Sequence, residues 1–194
     1  MTYKQRFLQL LYPLVTRIGA ITGKGNKILQ SNKPALTSFY ALKAVLNNGS
    51  LLDFNSLKNK KVMLVNTASD CGYTAQYEGL QALQEKYKES LVLLGFPSND
   101  FAGQEKGTDE AIAAFCKVNF GVSFPLFKKA TVLKKEGQHE VYEWLADNNK
   151  NGWNEKAPTW NFCKYLIDEK GNLTHFFESG IDPMGKEIQQ AVEW

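Results

Sequence analysis

Cysteine is scarce in this chain, and badly spaced for structural use. The 194 residues hold three, Cys71, Cys116 and Cys163, with no Cys-x-x-Cys pair of the kind that holds zinc. An odd number is a poor framework for a disulfide-stapled secreted domain, so reduced thiols in a reducing compartment, the cytoplasm, fit better. An excess of one charge is lacking too. The net charge is only +3, and no basic stripe is interleaved with aromatics, which argues against nucleic acid as a partner. No apolar run is long enough to span a membrane. The glycines follow no phosphate-binding pattern, and no metal or cofactor site is expected. There are no internal repeats. What is present, 43% hydrophobic and 22% charged residues, is ordinary for one globular domain with a sizeable core.

Residues 1–35 differ in character from the rest. Lys4 and Arg6 precede Phe7, Leu8, Leu10, Leu11, Leu14 and Val15, which superficially resembles a secretion signal. Gln9, Pro13 and Arg17 interrupt the run and no clean small-x-small cleavage site follows. The reading is an uncleaved amphipathic extension (residues 1–20) that packs on the domain or grazes a membrane surface. Gly23 to Pro34 reads as a linker, and the domain proper occupies 36–194.

Within that domain, Asn47-Asn48-Gly49-Ser50 predicts a hairpin turn between Phe39–Leu46 and Leu51–Phe54, because Asn-Gly tolerates positive φ. Val62 to Val65 and Leu91 to Phe96 are apolar runs suited to buried strands. One helical stretch, Ala75 to Tyr87, separates them, so they should pair in parallel. Thr108 predicts an N-cap ahead of Asp109 and Glu110. Phe124–Val132 predicts a strand, Val141, Trp144 and Leu145 one helix face, and Asp147–Pro158 a surface loop. Trp160–Ile167 and Asn172–Phe177 predict an antiparallel pair, and the tail from Asp182 a closing helix. The expected fold is α/β, a mixed sheet with helices on both faces.

Cys71 falls where the first buried strand gives way to a helix. The positive end of the helix dipole and unpaired backbone N–H groups should lower its pKa. Its other reading is a small buried core residue. Cys116 stands at i+4 from Ile112 on an apolar helix face, which alone reads as core, as does Cys163. The loop from Pro97 to Gly107 ends the second strand at the same sheet edge as Cys71, where sites assemble in α/β sheets.

A strand followed by Cys-x-x-Thr opening a helix is the geometry of a thioredoxin-like redox centre that lacks its second cysteine. The chain resembles the glutathione peroxidase family, in its cysteine-containing branch. Three blocks carry the resemblance: Val65-Asn66-Thr67-Ala68-Ser69-Asp70-Cys71-Gly72-Tyr73-Thr74; Gly95-Phe96-Pro97-Ser98-Asn99-Asp100-Phe101 with Gln104-Glu105; and Trp160-Asn161-Phe162. It extends from about Ser38 to the C-terminus.

The resemblance implies a thioredoxin-like fold, a three-layer α/β/α sandwich with a mixed central sheet and an N-terminal β-hairpin. It implies Cys71 as the peroxidatic residue, whose thiolate attacks a hydroperoxide and becomes a sulfenic acid. Gln104, Trp160 and Asn161 would donate hydrogen bonds to the thiolate and to the peroxide oxygens. Phe115 to Val122 resembles the block that carries a resolving cysteine in thioredoxin-dependent members, which makes Cys116 the resolving candidate and thioredoxin the reductant. Helix opening from Thr108 onward is expected before the two sulfurs can meet. Ser98 stands where many relatives have another cysteine. The loop before Trp160 lacks the insertion of tetrameric relatives, so a monomer is expected, with a site open to lipid hydroperoxides.

Two matters stay open. Drawing the Cys71 thiol from near 8.5 towards neutrality takes roughly 2.7 kcal/mol, within reach of a helix terminus and charge-assisted hydrogen bonds. Asp70 opposes it, because a neighbouring anion disfavours the thiolate, by about 1 kcal/mol at a solvated edge. A glutathione-dependent peroxidase, or a peroxide sensor that passes oxidation to a partner protein, remains an alternative.

Overall fold

The computed structural model describes residues 2–22 and 26–194. Residues 23–25, part of the expected linker, lie outside the described residues, as does Met1. The chain opens with helix α1 (Tyr3–Thr22). A reciprocal capping box starts it: Gln5 N donates to Thr2 Oγ1 at 3.3 Å and Thr2 N to Gln5 Oε1 at 2.7 Å. Then come β1 (Ile28–Gln30), the hairpin strands β2 (Lys43–Val45) and β3 (Leu51–Asp53), β4 (Lys61–Thr67), α2 (Gln76–Lys86), β5 (Leu91–Pro97) and α3 (Asp109–Phe120). The short helices α4 (Glu140–Leu145) and α5 (Asn148–Asn151) precede β6 (Lys164–Ile167), β7 (Leu173–Phe177) and α6 (Lys186–Glu193).

Five strands form one sheet in the order β1-β7-β6-β4-β5. β4 and β5 pair in parallel, Val62 opposite Val92, while the other three pairings are antiparallel. The sheet is therefore mixed, and β4, in its interior, is apolar on both faces, as a strand covered on two sides must be. Val62 and Leu64 join a core with the hairpin, Phe54, and Tyr142 and Trp144 of α4. Met63 and Val65 point the other way, to Leu80 and Leu83 of α2, Ile112 and Cys116 of α3 and Ile188 of α6. The period-2 alternation along one strand thus divides two cores and produces the expected layers.

Several local expectations change. Ile28–Gln30, read as linker, pairs with His175–Phe177 as the sheet's edge strand, so the sheet begins before residue 36. Phe124–Val132 makes only isolated bridges, Gly95 with Leu126, Leu46 with Phe127 and Thr131 with Gln138. Pro125 has no N–H to continue a ladder. A Cβ on Gly95 would stand 2.6 Å from Leu126 Cδ2, so glycine permits this close approach. Trp160–Cys163 is a turn rather than the start of β6. The stretch 147–158 is no plain surface loop: it holds α5, and Asn151 and Asn154 are buried in it.

Candidate active site

Cys71 lies in the turn between β4 and α2, at the carboxyl edge of the sheet. The regular helix starts only at Gln76, later than the sequence suggests. Ahead of it the N–H groups of Thr74 and Gln76 bond back three residues, to Cys71 O at 3.1 Å and Tyr73 O at 2.9 Å, a tight 3-10 geometry. Thr74 fixes this turn. Its Oγ1 accepts from Cys71 N at 3.0 Å and stands 2.9 Å from Ala68 O and 2.8 Å from Cys71 O.

Cys71 is 1% exposed. Tyr73 N donates to it at 3.4 Å. The Trp160 indole, the Asn161 amide and the Gly72 N–H face it as well and favour its charged form. Burial nevertheless wins and holds the thiol above its ordinary value, with those donors pulling it back. This corrects the expectation of a depressed pKa: the helix-end effect is present, but the depth of the sulfur outweighs it.

Gln104 and Asn161 meet directly, Asn161 Nδ2 donating to Gln104 Oε1 at 2.9 Å. Gln104 O also accepts from Asp70 N at 3.1 Å, which ties the Gln104 loop to the residue before the thiol. That loop is bent by two successive left-handed residues, Ala102 at φ 52° and Gly103 at φ 62°. Trp160 is 37% exposed, its ring 5.5 Å from that of Phe101. Cys71, Gln104, Trp160 and Asn161, from three separate segments, thus share one edge.

Cys116 is not at that edge. It is fully buried on α3, where the Tyr77 hydroxyl faces its sulfur and burial pushes the thiol up to about 12. The Tyr77 and Thr67 hydroxyls beside it make no well-formed hydrogen bond. Cys71 and Cys116 are both free thiols. Cys163 lies in the other core, its sulfur 3.6 Å from Thr159 Oγ1 and 3.5 Å from Ser179 Oγ. Among the described residues no group of three or more His, Cys, Asp or Glu is placed to hold a metal ion.

Three supporting residues escape a reading by residue type. Asn66, fully buried at the end of β4, donates from Nδ2 to Trp160 O at 3.0 Å and accepts at Oδ1 from Cys163 N at 3.1 Å. Its own carbonyl accepts from Phe162 N at 2.6 Å. These bonds hold a turn in which Phe162 adopts φ 68°, a conformation a bulky side chain reaches only under constraint. Glu105, 1% exposed, accepts from Ser69 Oγ at 3.0 Å; burial raises its carboxyl to about 7. Lys164 is buried in β6 and donates to Gln76 Oε1 and to Ile181 O at 2.6 Å, joining three segments behind the site. A polar residue closing an apolar run was the available sign for Asn66. Nothing in the sequence marks the depth of the other two.

A strand, a buried thiol in the following turn and amide and indole groups brought in from two other loops define a thiol-based redox centre on a thioredoxin-like fold. Residues 39–146 match the family model described as glutathione peroxidase. The chain is 40% identical over 159 residues to a glutathione peroxidase homolog, BsaA, of Staphylococcus epidermidis, covering 81% of this chain and 98% of that one. It is 41% identical, again over 159 residues, to glutathione peroxidase-like peroxiredoxin 2 of Saccharomyces cerevisiae, covering 80% and 98%. The crystal structure of Trgpx in its apo form superposes with a TM-score of 0.61 at 31% identity, covering 81% of this chain and 97% of that one. The protein belongs to the glutathione peroxidase family.

Proposed function

We propose that the protein is a thiol peroxidase that reduces hydrogen peroxide and organic or lipid hydroperoxides through Cys71 and is recycled by thioredoxin. The observation that carries this is one buried sulfur that accepts from Tyr73 N at 3.4 Å and is faced by the Trp160 indole and the Asn161 amide. Those groups donate where negative charge resides on the thiolate and develops on the leaving oxygen. The thiolate attacks one peroxide oxygen, the O–O bond breaks, and the departing oxygen takes up a proton as water or an alcohol. Cys71 is left as a sulfenic acid. The Cys116 thiol then attacks that sulfur, water leaves, and a Cys71–Cys116 disulfide forms for a thioredoxin dithiol to reduce. A yeast relative named a peroxiredoxin supports the reading.

Because Cys116 is sealed under Tyr77, the α3 segment must open locally before the sulfurs can approach. The same burial favours a second reading, in which an external thiol such as glutathione attacks the sulfenic acid directly. Cys71→Ser should abolish peroxide consumption with either donor; full turnover in that variant would refute the peroxidase reading. Cys116→Ser should stop cycling with thioredoxin, and continued cycling would favour the external thiol.

The three free thiols support a reducing compartment such as the cytoplasm. No described helix is long and apolar enough to cross a membrane. Tyr3, Phe7, Leu10 and Leu14 of α1 are exposed, which supports contact with a membrane surface. The short loop before Trp160 supports a monomer, which sedimentation would check.

A further inference from the structure

The extension ahead of the domain is in contact with the turn that carries Cys71. Lys4 Nζ lies 3.3 Å from Asp70 Oδ2, and Gln5 Nε2 donates to Ser69 O at 3.5 Å. Eight residues beyond Lys4, two helical turns on, the Tyr12 ring stands edge-on to Tyr73, centroids 6.3 Å apart at 81°. The Tyr12 hydroxyl faces the Gln76 side chain, and burial there drives its pKa upward. These contacts bracket Cys71 on both sides in sequence. Positions 4, 5 and 12 lie on one side of a 3.6-residue helix, and the exposed Tyr3, Phe7, Leu10 and Leu14 on the other. The capping box that starts α1 also fixes the Gln5 side chain.

From the opposite side the same two residues are held by the Gln104 loop, through Asp70 N to Gln104 O at 3.1 Å and Ser69 Oγ to Glu105 Oε2 at 3.0 Å. A cavity of about 240 Å³, lined by Gln5, Ser69, Asp70, Gln104, Glu105 and Phe115 among others, lies between the two grips. The Ser69–Asp70 step is therefore clamped between the extension and the catalytic loop.

We propose that α1 is a wall of the peroxidatic site and that Lys4 is a positioning residue, which acts on Cys71 by neutralising and holding Asp70. The argument is electrostatic. A carboxylate on the residue next to the thiol opposes formation of a thiolate, and an ammonium on that carboxylate cancels most of its field. The Lys4 side chain is 65% exposed and that of Asp70 32%, so salt should screen the pair. The inference rests on Cys71 as the attacking thiol.

The test is the second-order rate constant for Cys71 oxidation by hydrogen peroxide, followed by stopped-flow tryptophan fluorescence on the full-length chain. Lys4→Gln should lower it by about two- to fivefold at low ionic strength, with Lys4→Arg restoring it and added salt narrowing the gap. In an Asp70→Asn background, Lys4→Gln should have no effect, a cancellation that general loosening of the turn would not give. No change in Lys4→Gln, or equal slowing in both backgrounds, would overturn the proposal. Failure of the underlying peroxidase reading would look different, as turnover surviving in Cys71→Ser.

Discussion

Asn161 Nδ2 donates to Gln104 Oε1 at 2.9 Å, a contact between residues 57 positions apart. One is in the loop after β5 and the other in the turn before β6, yet each orients the other. Asn161 in turn faces Cys71, so the two amides should act as a unit. Gln104→Ala and Asn161→Ala should each slow Cys71 oxidation by about 10- to 1000-fold, the range for removal of a donor at a charged transition state. The double variant should be hardly slower than the worse single one. Stopped-flow oxidation of all three variants checks this; strictly multiplicative losses would show independent action.

A separate expectation concerns Asn66, whose side chain makes two hydrogen bonds to the turn holding Trp160 and Asn161. Asn66→Ala leaves Trp160 O and Cys163 N without those partners. A stability loss of about 2–3 kcal/mol is expected in urea unfolding. Peroxide reactivity should fall further than fractional unfolding explains, because Phe162 is freed from φ 68° and the Trp160 indole loses its aim. A variant with native reactivity per folded molecule would remove Asn66 from the site's support.

Glu105 gives a pH dependence with a definite sign. Its folded carboxyl titrates at about 7 against an ordinary 4.5, chiefly through burial. Between those values the native state binds more protons than the unfolded chain, so rising pH favours unfolding. The stabilising contribution is complete below about 4.5 and lost as pH passes about 7; this amounts to about 3 kcal/mol at most. Glu105→Gln should flatten that part of the profile and be the more stable protein at pH 8. Chemical unfolding of both proteins at pH 5 and pH 8 decides it, and parallel profiles would count against the buried carboxyl.

Much of this architecture is legible in the residues, for physical reasons that also mark where legibility stops. Val62–Val65 and Leu91–Phe96 read as buried strands because a strand covered on both faces must be apolar throughout. Ile28–Gln30 is too short to show a period and pairs at the sheet's edge by backbone groups. Trp160-Asn161-Phe162 alternates like a strand, but a side chain 94 residues away, Asn66, bends it into a turn. Lys164 looks like a solvent-facing strand residue and is buried, because acceptors from 76 and 181 come to meet it. The direction of the Cys71 shift failed for a like reason: sequence shows a helix beginning, not how deep its first thiol lies. Asp70, an unexplained liability in sequence, acquires a cation from Lys4, again from a distant segment.

The capped ends of α3 have a consequence for the lifetime of the oxidised thiol. Thr108 Oγ1 accepts from Ala111 N at 3.3 Å at one end, and Gly121 closes the other at φ 65°. Lys129 Nζ also donates to Gly107 O at 2.8 Å just ahead of the helix. Every stabilising contact on this segment lowers the fraction of time Cys116 is exposed, and in the proposed cycle only then could it meet a sulfenic acid at Cys71. During that wait a second hydroperoxide would carry a Cys71 sulfenic acid on to the sulfinic state, which a dithiol reductant does not reverse. In the proposed cycle the firmness of one helix would thereby set the peroxide dose at which the protein inactivates itself. Loosening its cap would then trade structural stability for tolerance of oxidant.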